Sequence, residues 1–361
     1  MITFHISSED GGARSGLLEV NGRKARTPLF MPVATRGSLR TLSNEEGARM
    51  GFQALIANAY HLLMKPGADI IQEGGGLHKY MNWPNIIFTD SGGFQMIRSG
   101  FDLKVSQEGV TFRSETDGRI IRMTPEENIL LQKKLGADVS MCLDLCPPYP
   151  ADRDDLIRSV EMTSTWARRC LDVGHDTFCI SQGGTDDELR ERSCRELADM
   201  GFQGFAVGGL SIGEPREDMY RMLDIADGVY PRESPRYVMG LGSPVDILES
   251  ISRGMDIFDS AYPTRNARHG SVMTSTGMIS ITNGRYRRDH GPLDQGCRCP
   301  VCQDHSRSYV NHLLRARELS GLRLATIHNL FFMSTLMSDA RKAIEEGRFD
   351  SFKKAFTEAY E

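Results

Sequence analysis

No stretch of the 361 residues approaches the ~18 consecutive apolar residues that a membrane-spanning helix needs. No secretion leader is expected either, because MITFHISSEDGG places Glu9 and Asp10 where a signal peptide carries bases and an apolar run. The chain is therefore expected to be cytoplasmic, with its eight cysteines kept as reduced thiols. Low-complexity tracts are lacking, as is any internal repeat longer than one strand–helix unit, which excludes solenoid architectures. With 40% apolar and 25% charged residues, intrinsic disorder is excluded and a substantial core is available.

Lysine is absent between residues 261 and 330. That segment instead holds ten arginines, among them Arg265, Arg268, Arg285, Arg287 and Arg288, against the acids Asp289, Asp294, Asp304 and Glu318. The local balance is +6 in a chain whose net charge is −5. The planar guanidinium fork suits phosphate oxygens, so the segment is a candidate polyanion surface. A solvated face laced with helix ion pairs is the plainer alternative.

Eight short apolar segments recur along the chain, at 29–35, 54–60, 86–90, 137–144, 178–184, 204–209, 237–242 and 255–260. Continuous apolar runs rich in Val, Ile and Phe predict strands buried on both faces, as parallel strands are. The spacers read as helices, with amphipathic spacing at 152–173, 186–199, 215–227 and 244–253. Thr124-Pro125-Glu126-Glu127 offers an N-cap, a proline at the first helical position and a glutamate three residues after the cap, and Gly136 is placed to end that helix. Eight β/α units predict an α/β fold, a closed (β/α)8 TIM barrel, in preference to an open doubly wound sheet.

Two intervals are too long for simple crossovers. Residues 100–123 predict a hairpin insertion turning at Asp117-Gly118, and residues 261–330 predict a separate Arg-rich subdomain followed by C-terminal helices. A hairpin around Asn21-Gly22, within the first 28 residues, is expected to close the barrel bottom. The whole of 1–361 is expected to form a single catalytic domain.

In such a barrel the site lies where the strands end, which draws attention to Asn58, Asp90, Ser91, Asp144, Gln182, Gly208, Gly209 and Asp259. Three carboxylates converging on one mouth raise one another's pKa and can divide into an acid and an anionic nucleophile. The glycine-rich stretches TDSGGFQ, SQGG and VGGLSIGE let backbone N–H groups approach a planar ligand. Phe94 offers a stacking face and Asp144 with Gln182 a hydrogen-bonding edge, a combination that fits a purine. Phe94 serves equally well as core.

Cys297-x-Cys299-x-x-Cys302 supplies three soft ligands for a tetrahedral Zn²⁺. His305, His312 and His328 are all candidates for the fourth, and spacing does not choose between them. Four protein ligands leave no open position, so the expected zinc is structural, one per subunit.

The motifs TDSGGFQ (89–95), GADVSMCLDLCPPYPA (136–151), SQGG (181–184), GFAVGGLSIGEP (204–215), RGMDIFDSAYPTRNAR (253–268), CRCPVC (297–302) and IHNL (327–330) give the chain its relatives. It resembles the tRNA-guanine transglycosylases, the queuine tRNA-ribosyltransferase family, and within them the bacterial type. The resemblance implies a zinc-containing TIM barrel of queuosine biosynthesis that exchanges guanine at the anticodon wobble position of tRNA for a 7-deazaguanine base, preQ1 being favoured and queuine or preQ0 the alternatives. It implies that Asp259 is the nucleophile on the ribose, through a covalent intermediate, and Asp90 the general acid/base. Ser91, Phe94, Asp144, Gln182, Gly208, Gly209, Leu210 and Met239 match the base-binding set, and His328 joins Cys297, Cys299 and Cys302 as zinc ligand. The five arginines named above are the expected tRNA contacts, and a homodimer is implied.

Three positions depart from the usual bacterial pattern: Leu145 where the family commonly has Glu, Ser260 in place of Cys, and Ile212 in place of Val. Ile212 favours a small 7-substituent, and Glu214 is expected to pair with an aminomethyl ammonium. A retaining glycosidase and a non-catalytic tRNA-binding partner subunit are the competing readings. Retention of both Asp90 and Asp259 disfavours the latter, and the Arg-rich zinc segment disfavours the former.

Overall fold

The computed structural model describes residues 1–93, 101–114 and 118–361, so Phe94 and Asp117 lie outside the described residues. Three antiparallel strands come first: β1 (Ile2–Asp10), β2 (Ala13–Val20) and β3 (Arg23–Thr27). Then follow β4 (Leu29–Pro32), β5 (Ala54–Asn58) and β6 (Ile86–Asp90), and an antiparallel trio β7 (Phe101–Ser106), β8 (Gly109–Arg113) and β9 (Ile120–Met123). The remaining parallel strands are β10 (Val139–Met141), β11 (Thr177–Ser181), β12 (Gly204–Val207), β13 (Arg236–Val238) and β14 (Ile257–Ser260). A last hairpin pairs β15 (Ser271–Thr274) with β16 (Gly277–Ser280).

One eight-stranded parallel sheet runs in the order β4-β14-β13-β12-β11-β10-β6-β5. Its two ends meet through the Val33/Ile56 bridge, where the Ala34 N–H donates to the Ile56 carbonyl at 2.8 Å. All eight apolar segments are strands of this barrel, and helices separate them as expected. Arg153–Asp172, Asp187–Ala198, Arg216–Val229 and Pro244–Ile251 fall on the four amphipathic stretches. Thr124 and Glu127 form the reciprocal capping box at the start of Pro125–Leu135, and Gly136 ends that helix at φ +83°.

Met31, Ile56, Phe88, Met141, Ile180, Ala206, Tyr237 and Ile257, from all eight strands, pack inside the barrel. Ile2, Leu18, Val20 and Ala25 of the N-terminal sheet join them and close the end where the strands begin. Two ionic ties hold that floor. Arg14 donates to Asp256, just before β14, from Nε (2.8 Å) and Nη2 (2.5 Å), with both side chains buried, and Arg23 reaches Asp138, just before β10, at 3.2 Å. Removing one partner of a buried pair typically costs about 3–5 kcal/mol.

Three expectations need correction. The N-terminal unit is a three-stranded sheet rather than one hairpin: the Asn21-Gly22 turn is present, but β1 pairs with β2 ahead of it. β1 alternates buried and exposed positions and places His5, Ser7 and Glu9 among them, so no apolar run announces it. Residues 101–123 likewise hold three strands rather than two, because β7 adds to the β8–β9 hairpin. The segment at 261–330 does not end at residue 330, since one helix, Leu319–Glu345, runs through that boundary and carries His328.

Candidate active site and metal centre

Side chains two apart on a strand share a face. Ile56, Phe88, Ile180, Ala206, Tyr237 and Ile257 point into the barrel. Asn58, Asp90, Gln182, Gly208, Met239 and Asp259 each stand two residues further on, and so form the next layer up, at the strand C-termini. The polar layer is thus a direct product of the strand register.

Within it the hydrogen bonds divide the carboxylates by environment. Asp259 accepts the Tyr237 hydroxyl at 2.5 Å and the Gly240 N–H at 2.8 Å, both on Oδ1. Burial, aided by the negative charge of Asp90, raises its pKa to about 6 against those two donors. Asp90 accepts from Asn58 Nδ2 at 2.9 Å and from the Gly92 N–H at 3.0 Å. Asp144 accepts Gln182 Nε2 at 2.6 Å, and burial followed by the Asp90 charge pushes its pKa up to about 7. Asp90 therefore acts electrostatically on both other acids. At neutral pH Asp259 is mostly the anion, while Asp144 sits near its midpoint.

The glycine loops close around Gln182. A Cβ on Gly208 would stand 2.7 Å from Gln182 Nε2, and one on Gly209, at φ +70°, 2.7 Å from Oε1. That Oε1 is buried and has no hydrogen-bond partner among the described residues. Leu210 is buried beside the pair, Met239 is half-buried against the barrel interior, and buried Ser91 accepts the Gly93 N–H on its hydroxyl while its carbonyl accepts Asn128 Nδ2 at 2.9 Å. Where the family commonly has Glu, the Leu145 backbone is held instead by Thr163 Oγ1 (3.1 Å from its N–H) and by Ser159 Oγ, which donates to its carbonyl at 2.5 Å.

Glu214 stands in the turn that follows β12. Its carboxylate accepts the backbone N–H groups of Ser211, Ile212 (2.9 Å) and Gly213 (3.1 Å), so it folds its own turn.

At the C-terminal side Cys297, Cys299, Cys302 and His328 bring one ligand atom each to within 4.8 Å of all the others. His328 Nδ1 lies 4.0, 3.4 and 3.3 Å from the three sulfurs in that order. Zinc bond lengths in a tetrahedron give an S···N edge of roughly 3.5 Å, so the four donors are gathered closely enough to hold one ion. His328 Nε2 bonds the Met273 carbonyl at 2.6 Å, which fixes Nδ1 as the free ligand atom. Of the three histidines left open by spacing, the fold selects His328. Neighbouring Asn329 ties the same helix to the carbonyls of Pro263 and Ser271, both at 3.0 Å, and so to the segment that follows Asp259.

The arginine excess splits in two. Arg307, Arg315 and Arg323 serve the fold, bonding the Leu293 carbonyl and Asp289, the Thr282 carbonyl, and Glu46 respectively. Arg265, Arg287 and Arg288 are exposed and make no ion pair among the described residues. Arg285 lies 4.7 Å over the Tyr286 ring, and half-buried Arg268 donates to the Thr264 carbonyl at 3.1 Å.

Sequence reasoning missed Tyr237 and Gly240 as partners of Asp259. Tyr237 reads as one more apolar residue of its strand, and only the strand register exposes its hydroxyl.

A parallel barrel with Asp90, Asp144, Gln182 and Asp259 at its strand C-termini, and a Cys3His group that could hold a metal, defines a class of α/β-barrel enzyme. Residues 9–361 match the family model described as queuine tRNA-ribosyltransferase, and the chain belongs to that family. Two similar curated proteins bear that name: one from Fusobacterium nucleatum is 44% identical, covering 100% of this chain and 98% of its own. One from Staphylococcus aureus is 44% identical, covering 99% and 96%.

Proposed function

We propose that the protein is a cytoplasmic tRNA-guanine transglycosylase, exchanging the wobble guanine of tRNA for a 7-deazaguanine base by double displacement. The observation that carries the reading is the pairing of an anionic Asp259 with a second carboxylate, Asp90, in one polar layer. Asp259 attacks the ribose C1′ as the bond to guanine N9 breaks, giving an ester between enzyme and tRNA. Asp90 assists protonation of the departing base, then accepts the N9 proton of the incoming one, whose nitrogen attacks C1′ and releases Asp259.

Asp144 as the anion accepts the ring N–H and exocyclic amine of the base, while Gln182, Gly208, Gly209 and Leu210 line its carbonyl side. Ser91 and Met239 bound the pocket, and Phe94 is the proposed stacking wall. Ile212 leaves room for a small 7-substituent, which favours preQ1. Cys297, Cys299, Cys302 and His328 would hold one zinc, which cross-links the segment behind Asp259. Arg265, Arg268, Arg285, Arg287 and Arg288 are the proposed phosphate contacts, the active unit is a homodimer, and the barrel with its insertions works as one catalytic domain.

Incubating the protein with tRNA and labelled guanine tests the reading. Incorporation that disappears in Asp259→Asn, with tRNA binding retained, is the expected result; no incorporation by the wild type, or full activity in Asp259→Ala, overturns it. Competition of preQ1, preQ0 and queuine for one tRNA decides the incoming base.

A further inference from the structure

Arg190 has no part in the chemistry above, yet it is fully buried. It stands on Asp187–Ala198, the helix that follows β11, and it makes no salt bridge with an acid among the described residues. Its guanidinium spends its hydrogen bonds on main-chain oxygens instead. Nη1 donates to the Ser181 carbonyl at 2.9 Å and to the Ser181 hydroxyl at 3.2 Å, and Nη2 donates to the carbonyls of Gly184 and Gly208, each at 2.9 Å. A buried cation held by neutral oxygens, three carbonyls and a hydroxyl, is expensive to keep, so what it holds together matters.

What it holds is both glycine loops at once. Ser181 and Gly184 bracket Gln182 and Gly183, while Gly208 comes from the next strand, and the Gly208 N–H itself donates to the Ser181 carbonyl at 2.9 Å. Gly183 presses so closely on the helix that a Cβ there would sit 2.7 Å from the Arg190 backbone nitrogen, at φ +121°. The guanidinium thereby fixes the spacing between Gln182 and the 208–209 peptide.

It also fixes that peptide's direction. In a trans peptide the C=O and the following N–H point opposite ways. With the Gly208 carbonyl drawn to Arg190 on the helix side, the Gly209 N–H faces away from the helix, and it has no partner among the described residues. A half-buried free N–H beside Gln182 is a donor for a ring carbonyl oxygen.

We propose that Arg190 is a positioning residue of the base pocket, which orients the Gly208–Gly209 peptide as a donor to the base carbonyl and sets its distance from Gln182. This rests on the base-exchange reading. Arg190 touches neither tRNA nor the reacting atoms, so its loss falls on recognition of the free base. Lysine keeps the charge but cannot span carbonyls from two loops with a planar fork.

The test uses Arg190→Lys and Arg190→Met, with KM for free guanine, KM for tRNA and kcat measured separately. The expected result is a KM for guanine raised at least tenfold in both variants, with KM for tRNA within twofold of wild type. Guanidinium ion in the millimolar range should restore part of the guanine affinity in Arg190→Ala and none in wild type. Equal losses for tRNA and guanine, or unchanged guanine KM in Arg190→Lys, overturn the proposal. Circular dichroism and bound zinc identify a variant that does not fold, in which case the Arg190→Lys result decides. Failure of the underlying reading looks different, because the wild type itself would then not incorporate guanine.

Discussion

Tyr237 and Asp259 come from adjacent strands, and the phenol donates to the carboxylate at 2.5 Å while the Gly240 N–H holds the same oxygen at 2.8 Å. One oxygen of Asp259 is thereby occupied twice, and Oδ2 accepts neither of these donors. Two donors also work against the burial that lifts its pKa to about 6.

Removing one donor should therefore show in the pH profile. In Tyr237→Phe the carboxylate is less stabilised as the anion, so the acid limb of kcat/KM should move up from about 6 by roughly one unit. A fall in kcat of about 10- to 100-fold at neutral pH should accompany it, because the proposed nucleophile is no longer positioned. A profile identical to wild type would show that the hydroxyl does not act on Asp259.

Asp144 carries a stability penalty with a definite pH window. Its folded pKa of about 7 lies above the ordinary 3.8, so the folded state binds a proton that the unfolded state has lost. The penalty grows as pH rises from the ordinary carboxylate range toward 7 and is complete above it, reaching on the order of 2–4 kcal/mol. Asp144→Asn removes it and keeps the shape. Thermal denaturation should find that variant more stable than wild type at pH 8 and little different near pH 4, while guanine binding is lost. A variant less stable than wild type at pH 8 would contradict this account.

For the wild type, the same group predicts that guanine binds more tightly as pH rises through about 7, since the anion is the better acceptor for ring N–H groups. Equilibrium binding of the free base between pH 6 and 8 measures it, and a flat profile would remove Asp144 from base recognition.

Metal removal should be local first. In the folded protein Cys142, Cys146, Cys170, Cys179 and Cys194 are buried, so few thiols should react with a thiol reagent in the metal-loaded state. Chelation should release Cys297, Cys299 and Cys302 to the reagent and lower the Tm by several degrees. His328→Gln should show the same reactivity without chelator. Thiol reactivity indifferent to chelator would argue against a metal at this centre.

Exposed Arg287 and Arg288 should act through charge alone. Replacing both with Ala should weaken tRNA binding and reduce the slope of log K against log salt by about one for each phosphate left without its arginine, with guanine affinity unchanged. Fluorescence anisotropy at several salt concentrations reads both quantities. An unaltered slope would place the RNA elsewhere.

The barrel strands were legible because a parallel strand is buried on both faces and its composition shows it, as in Ile86–Asp90. Strand Ile2–Asp10 was not, since half its residues face water and its pattern is polar. Asp90, Asp144 and Asp259 stood out as polar residues closing apolar runs. Their partners did not: Tyr237 hides in such a run, and Arg190 bonds carbonyls from two other loops, a relation that no local spacing encodes. Charge counting located the arginines of 261–330 but did not separate Arg307, Arg315 and Arg323, bound within the fold, from those open to solvent.

The sealed floor beneath the barrel has a kinetic corollary. With Ile2, Leu18, Val20 and Ala25 filling the lower end, the proposed double displacement would make the ejected base and its replacement share a doorway with the nucleic acid held on the enzyme. Departure must precede arrival, so the two bases are expected to compete for one berth and product inhibition by guanine should follow the concentration of the incoming base.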